Sequence, residues 1–460
     1  MSSPTLLSTS VSSSNTHTTN SSVKDVCSVD THAGYNPQNS FLEDNINEAK
    51  ESSGAIRPID GTFGWIPTLA TMMNFMFIFG ATNSYGVFST YYLNVRFPTT
   101  SATTLSWIGS LITTSMFCLN TFTGALADKK GYRFTAYIGT VVCTIAYILA
   151  SFSSKVWQLM LTQGVLFGVG ASFLLAPTNS LAAQWFDKYR GLATGISIAG
   201  SSIGGLWFTV ATQSIMDQIG PEWALRILGI LTLVVTGTMN MFYFQRVPPK
   251  PRKRIIELSV TKRLTFWLIA LELFAAYAGY WALVFYIGTT AKQIGGTLQD
   301  GSHLLLVLNA GTVIGRVITG YIADKFGSIN TLAVSLILTV AIEVPLWMTA
   351  KSLAPLYVLC TLYGLISSTF ISLNPVIVAV HFKDIPLSSV LGMTNMFSGL
   401  GGLSGSLSQG AIFETYDKRM NFTNTIIFSG TFILLSAIAT LVLRAHVIKK
   451  GSDRRFFQRV

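Results

Sequence analysis

Twelve long apolar runs constrain this chain more than any other feature. They lie near 63–88, 104–126, 134–152, 156–182, 191–214, 223–245, 264–288, 302–323, 328–349, 354–380, 387–411 and 423–446. A run of about 20 residues at 1.5 Å per residue spans a hydrocarbon core of roughly 30 Å. Lipid offers no hydrogen-bond partner to a bare backbone, so runs of this length must be helical. The runs predict an all-α membrane protein with twelve crossings. Only 11% of the residues are charged, against about 25% in soluble domains. A solvent that penalises charge explains that deficit.

The charge that remains is basic, with a net value of +11. It gathers in alternate loops. Lys129, Lys130, Arg133, Lys188, Arg190, Arg246, Lys250, Arg252, Lys253, Arg254, Lys262, Arg263, Lys325 and Lys383 fall on one side. Arg96, Lys155, Lys292, Lys351, Lys418 and Arg419 fall on the other. The positive-inside rule then places both termini in the cytosol, and the charge does not call for a nucleic-acid partner. Residues 1–57 are rich in Ser, Thr and Asn, which predicts a disordered cytosolic tail with no signal-peptide core. The chain divides into that tail, a six-helix bundle over 58–245, a basic linker over 246–263, a second six-helix bundle over 264–446 and a basic tail over 447–460.

The two halves repeat each other. GALADKKGYR at 124–133 and GYIADKFG at 320–327 share a Gly, an Asp four residues on, a Lys and a closing Gly. A hydrophilic turn repeated at matching places is a mark of duplicated transporters. The fifth run of each half is dense in small residues, GLATGISIAGSSIGG at 191–205 and SGLGGLSGSLSQG at 398–410. Such spacing lets helices approach closely. Ala176-Pro177 and Asn374-Pro375 stand late in the fourth run of each half, where a missing backbone donor invites a kink.

The repeated turn with twelve spans resembles the major facilitator superfamily. There the loop Asp caps a helix end and pairs with basic residues across the inner face. The resemblance assigns that gate to Asp128, Lys129 and Arg133, and to Asp324 and Lys325 in the second half. Ser328 and Ile329 stand where basic residues usually follow, so loop 2–3 is expected to hold the stronger clasp. DGTFGW at 60–65 and WFDKYRGLATGISIAG at 185–200 resemble the two signatures of the monocarboxylate-transporter family. GATNSYGVF at 80–88 and LNAGTVIGR at 308–316 are similar to its fungal homologues. Animal members carry a Lys where Asn83 stands and an Asp where Thr312 stands. The resemblance thus implies a carrier, but not an animal-type lactate–proton symporter.

Arg316, more than halfway along run eight, is the leading candidate for a solute contact, because a charge that deep costs about 2.5–3.5 kcal/mol and should face a cavity. Asn83, Tyr85, Asn309, Thr312, Asn374 and Asn395 are uncharged polar groups expected to line that cavity. Glu272 is the candidate coupling carboxylate and a potential partner of Arg316, with snorkelling toward the nearer cytosolic mouth as the equal alternative. Glu343, near Pro345 and Trp347, is expected at the membrane interface. Cys27, Cys118, Cys143 and Cys360 are too scattered for a metal motif, and His17, His32, His303, His381 and His446 include none central to a run. Asn421-Phe422-Thr423 is a sequon too close to a span to be glycosylated. No phosphate loop, catalytic constellation or cofactor motif is visible. The expectation is a non-enzymatic secondary transporter of a small organic solute, with carboxylates favoured and the plasma membrane its place ahead of an internal one. A riboflavin-like heterocycle carrier and a non-transporting nutrient sensor are the rival readings.

Overall fold

The computed structural model describes residues 58–246, 258–413, 415 and 422–450. The 1–57 tail, most of the linker, Lys418, Arg419, Asn421 of the sequon and 451–460 lie outside the described residues. All regular structure among the described residues is helical. The helices are numbered here by the apolar run that each occupies. They are α1 (Trp65–Tyr91), α2 (Ala102–Cys118 and Asn120–Lys130), α3 (Tyr132–Ser151) and α4 (Val156–Leu159 and Phe167–Trp185, joined by a π-helical stretch Met160–Leu166). Then follow α5 (Arg190–Ile219), α6 (Pro221–Asn240), α7 (Leu264–Gln293), α8 (Leu298–Phe326) and α9 (Ser328–Thr349). The last are α10 (Leu353–Ser367 and Thr369–His381), α11 (Leu387–Ile412) and α12 (Thr423–Lys450).

Among the described residues, ten helical rods are long and apolar enough to cross a membrane. The two runs outside that set have local reasons. Helix α2 is interrupted at Leu119, which leaves Thr104–Cys118 as a shorter apolar piece. Helix α11 is a continuous 26 residues, but Gly and Ser dilute its apolar character. Helix starts follow the sequence. Ser101 accepts from the Thr104 N–H at 3.1 Å, Thr297 and Asp300 cap each other ahead of α8, and Pro221 occupies the first turn of α6.

Helices α1 to α6 pack chiefly on one another, as do α7 to α12, and the two sets meet through α5 against α8 and α2 against α11. Glycine makes these contacts possible. A Cβ on Gly200 or Gly204 would strike the Met72 or Met76 carbonyl oxygen of α1. A Cβ on Gly401 or Gly405 would strike Phe274 or Ala278 of α7. The opposite faces meet the other bundle, Gly191 and Gly195 against Gly320 and Arg316, and Gly392 against Asn120. Each fifth helix is therefore sandwiched between a partner in its own bundle and one in the other.

Gly204→Val should lower the thermal unfolding midpoint in detergent, because overpacking costs about 1–3 kcal/mol. Gly410→Ala is the control, since its Cβ would meet nothing within 4 Å. Equal midpoints for the two variants would overturn this account of the α1–α5 contact.

Candidate functional site

The two copies of the repeated turn do the same job at the same end of the molecule. Gly131 and Gly327 close their helices at φ 99° and 92°, a region that side chains disfavour. Each chain reversal leaves the preceding Asp at the bundle interface. Asp324 accepts from the Gly191 N–H at 2.6 Å and the Leu192 N–H at 2.8 Å, the exposed donors of the α5 N-terminus. Asp128 accepts from the Ser389 N–H and hydroxyl, both at 2.7 Å, at the α11 N-terminus. A carboxylate on a helix N-terminus satisfies orphan donors and opposes the positive end of the dipole.

This geometry differs from the expected gate of acid–base pairs. Arg133 donates to the Met241 carbonyl at 2.5 Å within its own bundle and lies over the Phe244 ring. Lys325 lies over the Tyr321 ring, and Lys129 is exposed. The loss of basic residues at Ser328 and Ile329 leaves the Asp324 clasp in place, since its bonds to α5 go to main-chain donors.

The two signature segments explain each other. Asp60, at φ 59°, turns the chain so that its carboxylate accepts from the Asp187 and Lys188 N–H groups at 3.0 and 3.1 Å. Trp65 packs on Phe186 and Phe63 on Trp185. Arg190 ties the loop together through the Ala183 and Phe186 carbonyls. The result is a rigid loop that presents the Gly191 and Leu192 donors to Asp324.

Arg316 does not face open space. It is buried, and its Nη1 donates to the Ile198 carbonyl and to Ser202 Oγ, both at 2.9 Å, and to Ser201 Oγ. Its Nε donates to Ser368 Oγ at 3.3 Å. Thr312, one turn away, donates to Ser202 Oγ at 2.7 Å. Further along the same seam, Gly205 lies between Asn83 and Asn309. Four of the predicted residues thus form one polar seam between α5 or α1 and α8. Tyr85 is elsewhere, and donates to the Leu105 carbonyl at 2.5 Å inside the first bundle.

Asn374 and Asn395 converge on a different place, a cavity of about 20 Å³ between the bundles. Its polar lining adds Asn179, Tyr277 and Ser398, and its walls include Phe75, Phe79 and Phe117. Asn395 donates to Asn120 Oδ1 at 3.1 Å. The Asn374 Oδ1 and Ser398 Oγ atoms are buried without a partner. Sequence reasoning missed the aromatic wall and Asn179, because a mid-span Phe reads alike whether it faces lipid or a cavity. Beyond this level, a pocket of about 550 Å³ opens between α1 and the last turns of α5, lined by Val87, Thr209, Gln213 and Asp217. The bundles are clasped at the Asp128–Asp324 end and close together at the middle, and the larger pocket at the other end is lined by α1 and α5.

Glu272 is buried in the second bundle beside Ser436 of α12, with Oε1 unpartnered, and makes no ion pair with Arg316. Glu343 corrects its expectation. It has no exposure and its Oε1 lies 2.6 Å from the Ser429 hydroxyl of α12, so it lies inside the bundle and not at the lipid–water interface.

The Major Facilitator Superfamily profile matches residues 67–406, and again 269–456. The chain belongs to the major facilitator superfamily. It is an integral, multi-pass secondary transporter. It is 30% identical over 388 residues to the MFS-type transporter pynF of Aspergillus niger, covering 83% of this chain and 88% of that one. It is 28% identical over 406 residues to the agnestins efflux protein AgnL12 of Paecilomyces divaricatus, covering 87% and 92%. With the aspyridones efflux protein apdF of Emericella nidulans the identity is 30% over 385 residues, covering 83% and 77%. Among solved structures, a bacterial homologue of the iron transporter ferroportin in an outward-facing state superimposes with a TM-score of 0.65 at 14% identity, covering 82% and 99%. The transporter FucP in the outward conformation gives 0.64 at 14%, covering 83% and 99%. These two likenesses establish the fold.

Asp324→Asn should loosen the clasped end by about 0.3–2 kcal/mol. Energy transfer between dyes at the exposed positions 130 and 383, one on each bundle, should then report a several-fold larger separated population. Asp128→Asn should act in the same direction and to a similar degree. An unchanged distance distribution in both variants would remove the clasp from the mechanism.

Proposed function

We propose that this transporter exports an uncharged, aromatic organic metabolite by alternating access, through a fold of twelve crossings with cytosolic termini. The observation that carries the substrate class is the central cavity. It combines buried amide and hydroxyl groups, two of them unsatisfied, with phenylalanine walls. Unpaired buried polar atoms are expensive, and a solute with carbonyl and hydroxyl groups on a flat ring system would satisfy them. Among the described residues no charged side chain lines this cavity, which favours such a solute over the carboxylates that the monocarboxylate-like signatures suggest. A heterocycle with polar edges, as in the riboflavin-carrier alternative, suits the same lining. The direction rests on relatives named for the efflux of agnestins and aspyridones. The plasma membrane is the proposed site.

In this reading the clasped end faces the cytosol, and the structure is an outward-facing form. The cavity, about 20 Å³, has room for about one water molecule. A solute therefore enters only as the bundles rock apart. Arg316 acts as a latch, because parting α8 from α5 strips its guanidinium of the Ser201, Ser202 and Ile198 acceptors. That cost holds the clasped state until the solute rearranges the seam.

Cells lacking or overproducing the protein should differ in the retention of one class of aromatic metabolite when their contents are compared without preselection. Asn374→Leu, at normal surface level, should cut that export about tenfold, the value of one buried hydrogen bond of roughly 1–1.5 kcal/mol. Full export by that variant would sink the cavity assignment. Arg316→Ala should instead populate the form open at the clasped end.

A further inference from the structure

The second bundle contains a polar site that the solute pathway does not use. Glu343 of α9 has no exposed surface. Its Oε1 lies 2.6 Å from the Ser429 Oγ of α12, and that oxygen lies 3.0 Å from the Gly279 carbonyl oxygen of α7. Its Oε2 is buried and makes no hydrogen bond. No Lys, Arg or His pairs with it among the described residues.

A serine hydroxyl carries one hydrogen. If Ser429 gives that hydrogen to Gly279, the 2.6 Å contact needs a second proton, and only the carboxyl can supply it. If Glu343 were ionised, its second oxygen would hold charge in a membrane-embedded bundle with neither donor nor counter-ion. Such a charge is among the costliest features a protein can bury. The neutral acid removes both difficulties, with the carboxyl O–H donating to Ser429 and Ser429 donating to Gly279. The short separation is typical of an O–H···O bond and leaves no room for a metal ion between the two oxygens.

We propose that Glu343 is a proton-binding site, occupied in the conformation described here and emptied when α7 draws away from α12. The remaining titratable groups are consistent with this. Tyr363 of α10 lies within electrostatic reach of the carboxyl, with Cys360 of α10 near it, and its own hydroxyl donates to the Tyr280 carbonyl of α7 at 3.1 Å. Glu272 stands two turns from Gly279 along α7, beside Ser436, which stands two turns from Ser429 along α12. Glu272 and Glu343 thus both meet the α7–α12 seam. Helix α7 also carries Leu273 and Tyr277 in the wall of the central cavity, so the proton site and the solute site share one moving part. The sign follows from linkage. Protons favour the clasped form, and that preference is lost as pH rises.

This inference rests on the alternating-access reading, but its test needs no solute. Protein reconstituted in sodium-free potassium buffer is followed by infrared spectroscopy, for the carbonyl stretch of a protonated carboxyl, and by the distance between labels at 130 and 383. In the wild type, the band should fade as pH rises and the clasped population should fall with it. Glu343→Gln should remove the Glu343 share of that band and hold the clasped population constant above the range in which the Asp128 and Asp324 carboxylates of the clasp titrate. Glu343→Asp, which retains a proton, should keep the response with a displaced midpoint. A wild-type distance that ignores pH would overturn the proposal. So would a Glu343→Gln response equal to that of the wild type, an unmoved midpoint in Glu343→Asp, or a band that follows added sodium. Absence of metabolite export with these readouts intact would instead count against the proposed function alone.

Discussion

The close approach of backbone to backbone along α5 and α11 is the constraint on which the rest of the structure depends. Each of these helices has glycine on two faces. One face lies against the first helix of its own bundle, through Gly200 and Gly204 or through Gly401 and Gly405. The other lies against the opposite bundle, through Gly191 and Gly195 or through Gly392. Lipid supplies no hydrophobic drive between helices, so contact must come from close van der Waals fit. A surface without side chains gives that fit and can also slide, since nothing interlocks across it.

Polar groups then fix where sliding stops. The carboxylates of Asp128 and Asp324 meet helix N-termini of the opposite bundle, and Arg316 donates across the seam to α5. These interactions concentrate at one end and at the middle of the interface. The two Asp clasps are close equivalents by geometry. The pseudo-symmetry is therefore preserved in the main chain even where the side chains of the repeat have diverged.

The first bundle has a hydrogen-bonded core of a different kind. Asn74 donates to Asn240 and Tyr243, Tyr243 meets Thr178, and Asn240 donates to Thr140. That network is made of neutral groups, and its Asn74 Oδ1 is left without a partner. The second bundle holds carboxyls with unpartnered oxygens instead. A neutral network stiffens a bundle, whereas an acid without a counter-ion makes one responsive. The two halves share a fold but differ in what their interiors can do.

The sequence alone determined the helical membrane fold and the repeat. Run length, charge position and the Gly–Asp–Gly spacing are local properties that lipid and backbone geometry translate directly. It also drew attention to Arg316, Asn374 and Asn395 as polar groups in apolar runs. Only the tertiary structure decided which way those groups point. Arg316 went to the seam, Tyr85 into its own bundle, and the two asparagines to the cavity. Glu343 moved from an expected interface to a buried site. A buried face and a lipid face are equally apolar in such a chain, so residue type does not report direction. Direction is set by which helix lies opposite, and that is a property of packing over the whole molecule.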